Sequence, residues 1–191
     1  FLSKPSAEVL LESIEFLGGT PNPHSLCRHL TLNVAAETRP VGALIAVLEP
    51  DGTLRIAGSF GIDDAMLTAR ASQTVADDSP LAETIRSGRP TFHASASEIR
   101  RLFPDFVVAD ADIMPTAIWP IASHGERIGA IELFFDENSG DSPLTADFEA
   151  VVALIALYVR LQLGAGMSGT RWSTVDLSLI HISEPTRLLS I

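Results

Sequence analysis

Trp119-Pro120-Ile121-Ala122-Ser123-His124-Gly125-Glu126-Arg127-Ile128-Gly129-Ala130-Ile131-Glu132-Leu133-Phe134-Phe135 is two apolar runs around a short polar break. Thr116 to Ala122 and Ile128 to Phe135 are predicted as strands, joined into a hairpin across Ser123 to Glu126. A second hairpin lies upstream. Val41 to Leu48 is a continuous apolar run bounded by Pro40 and Pro50, the pattern of a strand buried on both faces. Pro50-Asp51-Gly52 makes the turn, since proline fixes φ and glycine accepts a positive one. Thr53 to Phe60 returns as an alternating strand, with Leu54, Ile56, Gly58 and Phe60 expected on one side. Hairpins exclude a wholly parallel sheet.

Helical spacing fills much of the rest. Lys4 to Leu17 carries Leu10, Ile14 and Leu17 at intervals of three to four and stops at Gly18-Gly19. Asn22 and Pro23 are an N-cap and first-turn pair for a second helix ending before Pro40, with Leu26, Leu30 and Val34 as its stripe. Further helices are expected over Asp63 to Ser72, from Ser79-Pro80 through Arg86, over Ser97 to Phe103, and over Leu144 to Leu163. Thr91 to His93 is a short strand. The fold class is α+β, an antiparallel sheet with helices outside it.

Composition sets outer limits. The chain has 191 residues, 46% hydrophobic, enough for one domain with a substantial core. Its longest apolar run, Ala150 to Val159, is stopped by Arg160, whereas a membrane span needs ~20 residues. Twenty-four acids against thirteen bases give a formal charge of -11, which repels phosphate backbones, so no direct nucleic-acid binding is expected. The single cysteine, Cys27, excludes an internal disulfide and fits a reducing, cytoplasmic setting.

Three stretches resemble the GAF family of small-molecule sensor domains: Ser79-Pro80-Leu81-Ala82-Glu83-Thr84-Ile85-Arg86-Ser87-Gly88-Arg89-Pro90, then Trp119 to Leu133, then Leu144-Thr145-Ala146-Asp147-Phe148-Glu149. They match the family's helix and turn before the third strand, its last hairpin, and its closing helix, and the resemblance spans roughly residues 7–163. Gly129 suits close packing on a crowded sheet face, and Gly88 the positive φ that ends a helix.

The resemblance implies a regulatory domain of a bacterial signalling protein and also says which family chemistries are missing. Cyclic-nucleotide binders carry an Asn-Lys-Phe-Asp-Glu constellation, which cannot exist where Lys4 is the only lysine. Bilin binders need a pocket cysteine and sulfoxide reductases need paired ones, whereas Cys27 sits alone on the second helix and reads as a buried hydrophobe. His93, at a strand end, is where a haem-binding member would place an axial ligand, although such a histidine is more often simply hydrogen-bonded. No catalytic set, metal set or phosphate loop is found, so no enzyme activity and no cofactor is expected.

Apolar and aromatic residues remain as pocket candidates: Phe60, Phe106, Ile113, Trp119 and Phe134, any of which also suits plain core. The closing helix carries two stripes. Phe148, Val151, Val152, Ile155 and Val159 serve the sheet, while Leu154, Leu157 and Leu161 are rotated away. With Leu10, Ile14 and Leu17 they suggest a helical homodimer interface, or else a helix pair within one chain.

Residues 1–163 are therefore read as the sensor domain and 164–176 as a linker. Residues 177–191 lack any period and resemble a translated sequencing-adapter read-through, and are set aside as non-native. The expected function is small-molecule sensing in a cytoplasmic signalling protein, with a helix-turn-helix transcriptional regulator, its DNA-binding domain beyond this fragment, as the expected whole. The alternatives are a haem gas or redox sensor and a ligand-free dimerisation module of a kinase or phosphatase.

Overall fold

The computed structural model describes residues 7–106, 113–137 and 146–165. In chain order they form α1 (Ala7–Gly18), α2 (Pro23–His29), β1 (Gly42–Leu48), β2 (Leu54–Phe60), α3 (Asp64–Ala71), α4 (Pro80–Ser87), β3 (Thr91–His93), α5 (Ala96–Leu102), β4 (Thr116–Ser123), β5 (Glu126–Phe134) and α6 (Ala146–Ala165). Short polar side chains set the helix starts. Asn22 accepts the Ser25 N–H at 2.8 Å, Asp63 that of Met66 at 2.8 Å, Ser79 that of Ala82 at 3.2 Å and Ser95 that of Glu98 at 3.2 Å. Each such cap is worth ~1 kcal/mol. Gly88 closes α4 at φ 68°.

Some boundaries differ from expectation. Residues 4–6 and 144–145 of the predicted first and last helices lie outside the described residues. The second helix does not run on towards Pro40. It ends at His29 and continues as a π turn over Leu30–Val34 and a 3-10 turn over Ala36–Thr38. Thr31 Oγ1 donates back to the Cys27 carbonyl at 2.9 Å, and the Ala35 N–H reaches the Leu30 carbonyl at 2.9 Å. Side-chain competition for the backbone loosens a helix in this way.

The sheet has the order β2-β1-β5-β4-β3, with every pair antiparallel. One face carries Ala43, Ile45, Val47, Ile131, Leu133 and Phe135 against α2 and α6. The other carries Leu44, Ala46, Ile118, Ala130 and Phe134 with Met66 of α3 and Leu81 and Ile85 of α4. This is the α+β arrangement expected, and β1 is buried on both faces as its apolar run requires. His124 and Gly125 both take positive φ (52° and 80°) in the tight β4–β5 turn. At Gly129 a Cβ would lie 2.0 Å from the Ala46 carbonyl oxygen, so only glycine lets β1 and β5 approach there.

Alternation in β2 breaks. Ala46 pairs with Ile56 but Ile45 pairs with Gly58, so Ala57 is an extra residue in the ladder, a β-bulge. Leu54 and Ile56 belong to the α3 side, whereas Ala57 and Phe60 belong to the α2 side. The expected single row of Leu54, Ile56, Gly58 and Phe60 is split in two. Among the described residues no helix is long and apolar enough to cross a membrane.

Candidate functional site

Strand register assembles a polar row on the α3 face. His93 of β3 lies opposite Thr116 of β4, and Thr116 lies opposite Phe134 of β5. Directly opposed residues project from the same face, so these three form one cross-strand line. Glu132 is two residues before Phe134 and therefore shares its face. It is fully buried (0% exposed) in an otherwise apolar strand.

Its partner comes from α3. Arg70, 3% exposed, donates from Nε to one Glu132 oxygen at 3.0 Å and from Nη2 to the other at 2.8 Å. The Thr116 hydroxyl adds a third bond to the carboxylate at 2.9 Å and lies 3.1 Å from the Leu133 carbonyl oxygen. The Arg70 guanidinium carbon sits 4.9 Å from the centre of the Phe106 ring and 5.6 Å from that of Phe134. A fork-to-fork pair flanked by aromatic faces holds the guanidinium plane in one orientation.

The pairing is incomplete. Arg70 Nη1 and both ring nitrogens of His93 are buried and have no hydrogen-bond partner among the described residues. Native proteins leave few such groups. The His93 ring meets Phe103 edge-on at 5.6 Å between centroids. Burial holds its pKa below the ordinary value, while the carboxylates of Glu98 and Glu132 pull the other way. Unspent donors and acceptors thus lie on the α3 side of the sheet, at Arg70 Nη1 and on the His93 ring.

The five expected pocket residues do not share this face. Phe134 and Phe106 flank Arg70, and Ile113 is half-buried just before β4. Phe60 instead packs on the α2 side, edge-on to His24 at 5.9 Å, because the bulge at Ala57 turns it over. Trp119 lies on the α2 and α6 side, 4.1 Å from the Phe148 ring, because its register position alternates with those of Ile118 and Pro120. Both belong to the opposite core.

Sequence reasoning missed Arg70 and Glu132. A signal for the second existed: one acid inside an apolar run must find a buried partner or pay a large desolvation cost. Nothing in the sequence indicated which base, 62 residues away, would supply it.

At the chain ends, Leu10 and Leu17 are half-buried against their own core, so they do not belong to an outward stripe. Ile14, Leu157 and Leu161 are exposed at 53%, 51% and 61%, joined by Leu11 at 65%, while Leu154 is half-buried. Residues three and four apart share a helix face, so Leu11 and Ile14 make one exposed stripe and Leu157 and Leu161 another. Cys27 is fully buried beside β1, and burial pushes its thiol pKa strongly up.

No family model and no curated protein matches the sequence. Solved structures do match. The GAF domain of a phosphoenolpyruvate-protein phosphotransferase from Coxiella burnetii superposes with a TM-score of 0.65 at 11% identity, over 84% of this chain and 95% of that one. The corresponding GAF domain from Acinetobacter gives 0.65 at 12%, over 85% and 95%. A type II free methionine-R-sulfoxide reductase from Thermoplasma acidophilum gives 0.53 at 18%, over 72% and 87%.

Proposed function

Since this chain has the fold of GAF domains, we propose that it is a regulatory domain that senses a small molecule on the α3 face of its sheet. The observation that carries the reading is the Arg70–Glu132–Thr116 cluster with its unspent donors beside His93. A buried ion pair is seldom worth more to stability than apolar residues of the same volume, so its presence in a core favours a binding role. The reductase that shares the fold is an enzyme, but here the lone thiol of Cys27 is buried and kept protonated. A thiol in that state is a poor nucleophile, so the domain is taken as non-catalytic.

The signal leaves through the terminal helices. Leu11 and Ile14 of α1 and Leu157 and Leu161 of α6 are taken as the contact with a second copy of the chain. Residues beyond α6 are taken as the link to an output domain of the transcription-regulator or kinase class, in the cytoplasm, and residues 177–191 as non-native sequence.

A melting experiment tests the sensor reading. The purified chain is heated with and without the sub-kilodalton fraction of a bacterial extract. Stabilisation by RT ln(1 + [L]/Kd) predicts a rise in Tm that dialysis reverses. No rise with extracts from several growth conditions would refute sensing.

A further inference from the structure

We propose that α1 is a proton-gated clasp, which lies on the domain while the His29 ring beneath Phe16 is neutral and lifts off when that ring takes up a proton. The proposal goes beyond the sensor reading and does not depend on it.

Contact comes first. The Phe16 ring of α1 stacks on His29 at the end of α2, 4.0 Å between centroids and 8° from parallel. The main partner of α1 is α6. That docking is light. Val9, Leu10, Phe16 and Leu17 are only half-buried, and the one fully buried residue of α1, Ser13, has a hydroxyl with no hydrogen-bond partner among the described residues. A buried hydroxyl without a partner subtracts from what the apolar contacts gain. The connection to α2 suits a hinge. Gly18 and Gly19 close the helix, and beyond them the Tyr158 hydroxyl donates to the Pro21 carbonyl at 2.7 Å, pinning the chain to α6. α1 can therefore lift while α2 stays in place.

The ring decides which state holds. His29 Nε2 is buried and has no hydrogen-bond partner among the described residues. A neutral imidazole can leave that nitrogen bare, whereas the imidazolium is a donor at both nitrogens and would bury a charged N–H with no acceptor. The π face of Phe16 attracts a cation, but by less than that loss. Burial lowers the His29 pKa, and Glu12, one turn before Phe16, pulls the other way with the smaller effect. Other charges near these elements are exposed or paired. Glu8 and Glu15 of α1 and Arg28 of α2 are exposed, Arg160 of α6 donates to His124 Nδ1 at 2.9 Å, and Arg55 of β2 pairs with Glu49. β1 turns apolar Ala43, Ile45 and Val47 towards α2. Once α1 lifts, water reaches the ring and its proton affinity returns towards the ordinary value of 6.5. Below that value each pH unit favours the lifted state by up to ~10-fold. Leu11 and Ile14 ride on α1, so any contact they make is withdrawn with it.

Hydrogen exchange of the full chain, followed by mass spectrometry and corrected for the intrinsic exchange rate, tests this. From about pH 7.5 to about pH 5.5 the opening of α1 should grow roughly 3- to 10-fold, while β1 and β5, which open only on wider unfolding, change less. His29→Phe keeps a ring beneath Phe16 that takes no proton, and His29→Gln removes both ring and titration. In either variant the opening of α1 should change by less than ~2-fold over the same range. Cooperative melting at neutral pH shows that a variant is folded, and one folded variant suffices. An α1 whose opening does not grow in the parent, or is already complete at about pH 7.5, overturns the proposal. So does growth that the variants reproduce, or an equal loss of protection in β1 and β5.

Discussion

Replacing Arg70 by methionine leaves the Glu132 carboxyl without its partner in a site where it is fully buried, and replacing Glu132 by methionine does the same to the Arg70 guanidinium. Breaking a buried pair from one side costs about 3–5 kcal/mol, because the remaining charge has lost both water and partner. In a domain of this size 1 kcal/mol moves Tm by about 2–4 °C, so each single variant should melt about 6–20 °C below the parent. Removing both charges puts two apolar side chains in a space already lined by Phe106 and Phe134. The double variant should therefore lie within ~2 kcal/mol of the parent. Urea unfolding of the four proteins gives the coupling directly, and it should be several kcal/mol in favour of the pair. Single variants that lose under ~1 kcal/mol, or a double variant as unstable as the singles added together, would show that the two side chains are not a desolvated pair.

Gly129→Ala should cost ~1–3 kcal/mol in urea unfolding, because its Cβ meets backbone rather than a movable side chain, and no loss would mean that β1 and β5 do not approach as closely as described. Burial holds His29 and His93 below their ordinary value of 6.5, so the unfolded chain takes up protons first. Their contribution is full above that value and is lost as pH falls through it towards the folded pKa values. The urea midpoint should drop between about pH 7 and pH 5, and less steeply in His93→Phe. Leu157→Glu with Leu161→Glu should give a folded monomer by sedimentation where the parent is a dimer, and a parent already monomeric at tens of micromolar would end that reading. Deleting residues 177–191 should leave Tm unchanged within error, and a drop of several degrees would show that they pack on the domain.

The hairpins, the helix caps and the glycine at 129 were legible because each depends on local chemistry: turn residues, an Asx or Ser side chain near free N–H groups, a missing Cβ. Period-two reasoning failed where one extra residue enters a strand. Ala57 looks like any other small residue in sequence, yet the bulge there moves Phe60 to the opposite face from Leu54 and Ile56. The same limit applied to Trp119, since a strand covered on both sides gives no polar alternation from which to tell its faces apart. For the site, the residue types were visible and their pairing was not. Glu132 carried its own warning as a charge inside an apolar run, whereas Arg70 is the one base of a short helix whose one acid, Asp64, suits open water. Only the packing of α3 on the sheet brings the two together.

The strand order also governs when this domain can become itself during synthesis. β1 has two neighbours, β2, which follows it across a short turn, and β5, which pairs Ala46 with Ala130. The first hairpin can close while the chain is still emerging, but the other edge of β1, among the most apolar in the molecule, stays open until residues past Phe134 have been made. Non-local pairing of this kind slows folding and leaves an adhesive edge exposed meanwhile. Premature termination anywhere before β5 would release a chain with one side of β1 unpaired, so truncated products should collect in aggregates, and slower translation upstream of residue 126 should lengthen the hazard.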